Sequence, residues 1–310
     1  MPTALITGAT SFMGAALTRE LLESGYDCYA VVRPGSPREA LLPLDHPALR
    51  VIRRDLRDVA GWQAEIPGCD VFYHLGWGGV GAQGRADVAI QAENVALSEQ
   101  CLRAAAALQA KRFIFAGSQS EYGIHDGPIT EDTPCDPVIE YARGKLAFLS
   151  IAQSLAEALG IGYVHLRIFS VYGPHDHPWT LINQCVQGFL AGERVPLSSC
   201  EQMWNFLHVD DAARAMRLIG ECPLSDPSPV YHLASTDTRP LRAFVEALWE
   251  AAGRRGAPGW GERQGAPEKA HGIEPRMDKF LQATNWQPRI TFEEGVRALV
   301  EAARKGESAL

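Results

Sequence analysis

The sequence predicts an α/β fold in which a parallel sheet carries helices on both faces, and three observations predict it. Short β-rich runs alternate with longer helical patterns over the first two-thirds of the chain. Several of those runs are apolar almost throughout, as central strands covered on both sides must be. A glycine-containing turn, "TGATSFMG" at residues 7–14, follows the first run and opens onto a helical pattern.

The candidate strands are "ALIT" (4–7), "DCYAVV" (27–32), "LRVI" (49–52), "CDVFYHL" (69–75), "RFIFA" (112–116) and "YVHLRIF" (163–169). After Gly173 the pattern changes. "GPHDHPWT" reads as a Pro-rich loop, a helical stretch follows to about Ala191, and "WNFLHV" (204–209) and "VYHLAS" (230–235) return to strand character. From residue 240 onward helical segments surround "AAGRRGAPGWGERQGAPEKAHG" (251–272), which is either a mobile loop or the boundary of a small C-terminal lobe.

The 310 residues suffice for a large buried core. No apolar run approaches the roughly 18 residues that a spanning helix needs, and Met-Pro-Thr leads straight into a strand with no basic leader. The expectation is a cytoplasmic protein with no membrane partner. Seven cysteines without a Cys-x-x-Cys pair read as reduced thiols. A net charge of -8 argues against nucleic-acid binding, so an anionic ligand must be held by a few local cations and backbone N–H groups.

A strand, a tight turn and a helix opening near Met13 aim backbone N–H groups and a positive helix end at a pyrophosphate. Gly8 suits the sharp turn, and Gly14 lets the helix lie close to the strand. Ser11 stands where backbone approaches phosphate, and its hydroxyl can donate to it. The alternative is an ordinary βα turn. Arg33 lies 25 residues beyond Gly8, where an arginine accommodates a ribose 2′-phosphate; this favours NADP, with NAD possible. A solvated arginine at a strand end is the plainer reading. Asp55, with the next N–H, that of Leu56, follows the third strand and faces the adenine edge.

"YARGK" sets Tyr141 and Lys145 four apart, on one helix face. A phenol with an ordinary pKa near 10 exchanges protons poorly at pH 7, and a neighbouring ammonium favours the phenolate. Tyr141 would exchange a proton with a substrate oxygen while a nicotinamide exchanges a hydride. An exposed i,i+4 pair is the alternative. "AGSQSEYG" supports the chemical reading, because Ser118 falls at the carboxyl end of a parallel strand, where open α/β sheets bind ligands.

Seven segments, "TGATSFMG", "DL" (55–56), "HLG" (74–76), "SQSEYG", "YARGK", "LRIFSVYGP" and "FLHVDDAARA", resemble in content and order those of the extended short-chain dehydrogenases/reductases, the nucleotide-sugar epimerase/dehydratase group. "DKFLQATNWQPRITFEEGV" resembles that family's C-terminal segment. The resemblance implies a catalytic Ser118, Tyr141 and Lys145, with Phe12, Met13, Leu75 and Gly76 beside the dinucleotide. It implies a Rossmann-type doubly wound sheet of about seven strands with a smaller C-terminal substrate-binding lobe. Residues 1–172 with 204–236 would form the dinucleotide domain and 173–203 with 237–310 the lobe. Apolar residues around much of the segment 92–108 and of the Tyr141 helix point to a homodimer built as a four-helix bundle, which the resemblance also implies.

Departures from the family pattern narrow the reaction. Members that eliminate water across C5 and C6 carry an Asp and a Glu directly after the catalytic Ser or Thr; here Gln119 and Ser120 stand there. Reductases that also epimerise C3 and C5 carry a cysteine at the position of Ser120. Trp204 occupies the place of an arginine that pairs with the substrate diphosphate, so Trp204 would stack on a base or pack, and Arg263, Lys269 or Arg276 would supply the cation. Ser170 replaces a usual asparagine near the sugar, and His177 lines the sugar pocket or is a loop residue. His175 and His177 lack further ligands, and no metal is expected. The leading expectation is an NADP(H)-dependent reduction of a nucleotide-linked 4-keto-6-deoxy sugar. A C4 epimerase holding NAD tightly comes second, and a non-catalytic dinucleotide sensor third.

Overall fold

A computed structural model describes residues 1–223, 229–263 and 272–305. In chain order the elements are β1 (Thr3–Thr7), α1 (Phe12–Glu23), β2 (Asp27–Val32), β3 (Leu49–Arg53), α2 (Val59–Ala64), β4 (Val71–His74), α3 (Val88–Ala107), β5 (Arg112–Ser118) and β6 (Pro128–Ile129). There follow α4 (Glu140–Leu159), β7 (Gly162–Ile168), β8 (Val171–Tyr172), α5 (Leu181–Ala191), β9 (Arg194–Pro196), β10 (Met203–Asn205), β11 (Leu207–His208) and α6 (Val209–Glu221). The last are β12 (Val230–Leu233), β13 (Thr238–Pro240), α7 (Leu241–Ala251), β14 (Ala257–Gly259), β15 (Glu274–Pro275), α8 (Asp278–Thr284) and α9 (Phe292–Arg304).

Seven strands form one parallel sheet in the order β12-β7-β5-β4-β1-β2-β3. The chain starts at the centre, runs out through β2 and β3, and crosses back to β4, so the order reverses between β1 and β4. That reversal opens a crevice at the carboxyl ends of the two strands. The Rossmann-type expectation holds, and the sheet explains the unbroken apolar runs. On β1, Ala4 and Ile6 join the core beneath α1 and α6, while Leu5 joins the opposite core beneath α3 and α4. Phe72, Phe113 and Phe115 fill that second face with Phe148 of α4. A third core, with Tyr172, Phe189, Phe244 and Phe292, is built from α5, α7, α9 and their connections.

The run at 204–209 divides in two. β10 pairs antiparallel with β13 and β11 pairs parallel with β8, so the chain switches partners at Phe206. All seven cysteines are free thiols. No described helix is long and apolar enough to cross a membrane.

Candidate active site

The glycine loop is built on two contacts that admit no side chain. Gly8 has φ of 71°, and a Cβ there would stand 2.7 Å from the backbone N of Gly76. A Cβ on Gly14 would stand 2.1 Å from the Gly8 carbonyl oxygen, so α1 lies hard against the turn. Ser11 caps this helix: its Oγ accepts the Gly14 N–H at 3.0 Å. The hydroxyl therefore acts first as a cap, keeping its own proton to donate. The side chains of Phe12 and Met13 pack on the core, and their N–H groups belong to the first turn, which lacks intrahelical partners.

β1 and β4 bring the rest of the cradle together. The Leu75 N–H donates to the Thr7 carbonyl at 3.1 Å. A Cβ on Gly76 would lie 2.9 Å from Leu56 Cδ2, so Leu56 closes over it. Asp55 is committed locally, accepting the Arg57 N–H at 2.9 Å and lying 3.8 Å from its guanidinium. Arg33 is exposed just beyond β2, and its guanidinium has no ion pair among the described residues.

Ser118, Tyr141 and Lys145 converge where β5 meets the first turns of α4. Lys145 is buried, its Nζ donating to the Ala116 carbonyl at 2.6 Å and standing 3.9 Å from the Trp77 ring centroid and 4.6 Å from that of Phe115. Burial lowers its pKa to about 7, against the pull of Glu121. Tyr141 packs edge-on to Trp77 with centroids 6.3 Å apart, and the Lys145 Nζ is 5.6 Å from its ring. Burial raises the Tyr141 pKa; the Arg85 guanidinium, 4.5 Å from its ring, and the Ser118 hydroxyl oppose this. Such a phenol can pass a proton to or from a ligand oxygen beside it.

A buried polar network holds Ser118 from below. Glu121 Oε1 accepts the Ser118 N–H at 2.7 Å, while the Ser118 Oγ accepts the Ser120 N–H at 3.2 Å, a capping box over the short helical turn 119–122. The fully buried Glu121 is in turn met by His165 Nε2 at 3.0 Å and Arg167 Nε at 2.9 Å. Burial alone would raise the Glu121 pKa, but these two partners outweigh it and hold it down. Arg167 also donates to the Tyr122 hydroxyl at 2.7 Å.

Beside this centre lies a cavity of about 1000 Å³ bordered by Arg85, Gln119, Ser120, Trp179, Trp204 and Arg263, among others. Arg85 Nη2 donates to Ser120 Oγ at 3.2 Å. Among the described residues, Gln119 Oε1, Trp204 Nε1 and Arg85 Nε are buried without hydrogen-bond partners. Gln119, Ser120, Trp204 and Arg263 are thus brought to one wall system, whereas Ser170, His177 and Arg276 do not border it. The Ser170 carbonyl accepts the Leu207 N–H at 2.9 Å, and His177 stacks behind Trp179 with centroids 4.2 Å apart. Lys269 lies outside the described residues. Asp176 Oδ1 accepts the His177 N–H at 2.7 Å, and among the described residues no three His, Cys, Asp or Glu side chains are grouped to hold a metal.

Sequence reasoning missed Arg85, Trp77, His165 and Arg167. Arg85 and Trp77 sit in a glycine-rich loop without periodicity; Arg167 and Glu121 were inside quoted segments but carried no charge-pairing signal.

The profile of the NAD dependent epimerase/dehydratase family matches residues 4–234. A UDP-glucose 4-epimerase from Corynebacterium glutamicum is 26% identical over 99% of this chain and 96% of its own. A dTDP-glucose 4,6-dehydratase from Streptomyces griseus is 27% identical over 98% of this chain and 94% of its own. Among solved structures, a UDP-glucuronic acid 4-epimerase from Bacillus cereus in complex with NAD superposes with a TM-score of 0.83 at 20% identity, covering 98% of this chain and 99% of that one. With three quarters of its length matched by one family profile, the chain belongs to the NAD-dependent epimerase/dehydratase family.

Proposed function

We propose that the protein carries out oxidation–reduction at C4 of a nucleotide-linked sugar with a nicotinamide dinucleotide. One observation carries the reading: Tyr141, Lys145 and Ser118 meet at the carboxyl edge of the sheet, beside a loop so tight that two glycines admit no Cβ. That loop, the first turn of α1 and the Leu56 cover fit a dinucleotide. When bound, the nicotinamide takes up or gives a hydride. Tyr141 exchanges the proton of the sugar oxygen, Ser118 hydrogen-bonds that oxygen, and Lys145 supplies the nearby positive charge. In this reading residues 1–172 with 204–236 hold the dinucleotide and 173–203 with 237–310 hold the sugar nucleotide.

Two net reactions share that step. C4 epimerisation with tightly held NAD is supported by full-length likeness to a 4-epimerase and by a cavity roomy enough for a sugar to turn over. Reduction of a 4-keto-6-deoxy sugar by NADPH is supported by Arg33, exposed and without an ion pair among the described residues. Gln119 and Ser120 supply neither acid nor base, which argues against 4,6-dehydration. Mass spectrometry of the protein as purified decides between the two: stoichiometric NAD favours epimerisation, and an empty site filled preferentially by NADPH favours reduction. Tyr141→Phe lowers turnover by roughly 10²- to 10⁴-fold while dinucleotide binding persists; unchanged turnover defeats the proposal. The protein acts as a homodimer through α3 and α4, which pack on each other and leave Ile151 and Leu159 exposed. A monomer in sedimentation at micromolar concentration would refute this pairing.

A further inference from the structure

Among the described residues Arg85 is a cation without a counter-charge. The buried Arg167 and Arg214 each meet a carboxylate, Glu121 at 2.9 Å and Asp211 at 2.8 Å, whereas Arg85 is half-buried. Arg85 has no such partner among the described residues. It lies in the loop between β4 and α3, clamped between the Tyr141 ring at 4.5 Å and the Ser120 hydroxyl at 3.2 Å, with its Nε buried and unsatisfied. The other charged or titratable residues bordering the same cavity are Arg263, the exposed Glu201, the half-buried His125 and the buried Cys200, none of which pairs with it among the described residues. A guanidinium drawn partly out of water and left unpaired is unfavourable unless a ligand completes it. Its planar fork of donors matches a carboxylate better than a hydroxyl.

Resting on the reading that Tyr141 acts at C4 of a nucleotide-linked sugar, we infer that Arg85 binds a carboxylate carried on the ring carbon next to the reacting one, so that the substrate is a nucleotide-linked uronic sugar. Contact with the Tyr141 ring puts Arg85 beside the reacting carbon and its neighbours. The diphosphate leaves the sugar from C1, across the ring from C4, and so falls away from Arg85. Gln119 Oε1, the unpaired acceptor on the same cavity, takes a sugar hydroxyl instead.

Calorimetric titration of the purified protein with glucuronate and glucose conjugates, each as the uridine and the thymidine diphosphate, tests this. The wild type favours the uronic sugar by about 10- to 100-fold, as hydrogen bonds to a charged group do. Arg85→Met brings that ratio to about one, and Arg85→Lys recovers part of it. Equal affinities in the wild type overturn the assignment and leave the C4 reading standing. So does an Arg85→Met variant that weakens uridine diphosphate alone as much as either sugar, since Arg85 would then serve the diphosphate. Binding of neither sugar conjugate by a protein that still takes up dinucleotide removes the nucleotide-sugar reading and this inference together.

Discussion

The Lys145 ammonium sits 3.9 Å from the Trp77 ring centroid, donating to the Ala116 carbonyl, in a pocket that takes its pKa down to about 7. The ring and one carbonyl compensate only part of the lost hydration. Between about pH 7 and the ordinary lysine value of 10.5 the unfolded chain holds a proton that the folded chain has released, so stability rises with pH across that window. Below pH 7 the whole penalty of burying the charge applies. Lys145→Met therefore raises the unfolding free energy at pH 6 by roughly 1–2 kcal/mol and flattens its rise toward pH 10, while turnover collapses. Urea unfolding of dinucleotide-free protein at pH 6 and pH 9 checks it; a variant less stable at pH 6 contradicts the unfavourable burial.

Glu121 is placed differently, because its charge is matched. With His165 and Arg167 both bonded to it and its other contact on the Ser118 N–H, it ties β7 to the serine turn. Glu121→Gln leaves Arg167 buried without its anion and destabilises the fold by about 3–5 kcal/mol. The same change loosens the turn carrying Ser118, so kcat falls more than KM rises. A variant with wild-type stability would show that Arg167 finds its compensation elsewhere.

What the sequence revealed and what it hid follow from distance along the chain. β2 was legible to the residue, since "DCYAVV" is bounded by Gly25 and by Arg33-Pro34, local signals that stop a strand. The glycine loop and the Tyr141 and Lys145 pair were legible for the same reason: their geometry is set within one turn. Ser11 was read as a phosphate donor, but its oxygen first caps α1, a use of the same hydroxyl that spacing alone does not separate. Arg85 and Trp77 become meaningful only when the loop between β4 and α3 is packed against α4, which no periodicity in "GWGGVGAQGRAD" announces. The single strand expected at 204–209 failed at Phe206 because partner choice there is tertiary.

Gly14 fixes how closely α1 approaches β1. A methyl group there would lie 2.1 Å from the Gly8 oxygen and 2.9 Å from Ala9 Cα, both backbone, so relief requires the helix itself to move. Gly14→Ala costs about 1–3 kcal/mol in stability and displaces the first-turn N–H groups from any pyrophosphate. The expected signature is a lower melting temperature together with loss of the stabilisation that added dinucleotide gives. Undiminished stabilisation by dinucleotide would mean that the close approach is not needed for binding.

Two buried histidines make the fold acid-sensitive. His74 is fully enclosed, bonded through Nδ1 to Thr7 Oγ1 at 2.6 Å and through Nε2 to Ser98 Oγ at 3.0 Å, and burial lowers its pKa to about 3. His232, bonded through Nε2 to the Tyr122 hydroxyl at 2.5 Å and through Nδ1 to the Arg276 carbonyl at 2.8 Å, is lowered by burial to about 4. Both folded values lie below the unfolded 6.5, so as pH falls through 6.5 the unfolded chain takes up protons that the folded chain refuses. The share of stability that these two histidines govern is full above pH 6.5 and declines toward pH 4, each histidine adding a slope of about one proton near pH 5. His74→Gln, which keeps hydrogen-bonding capacity without a titrating ring, should reduce that slope by about one proton in urea unfolding measured from pH 4.5 to 7.5. An unchanged slope would assign the acid sensitivity to other groups and require His74 to be charged in the folded protein.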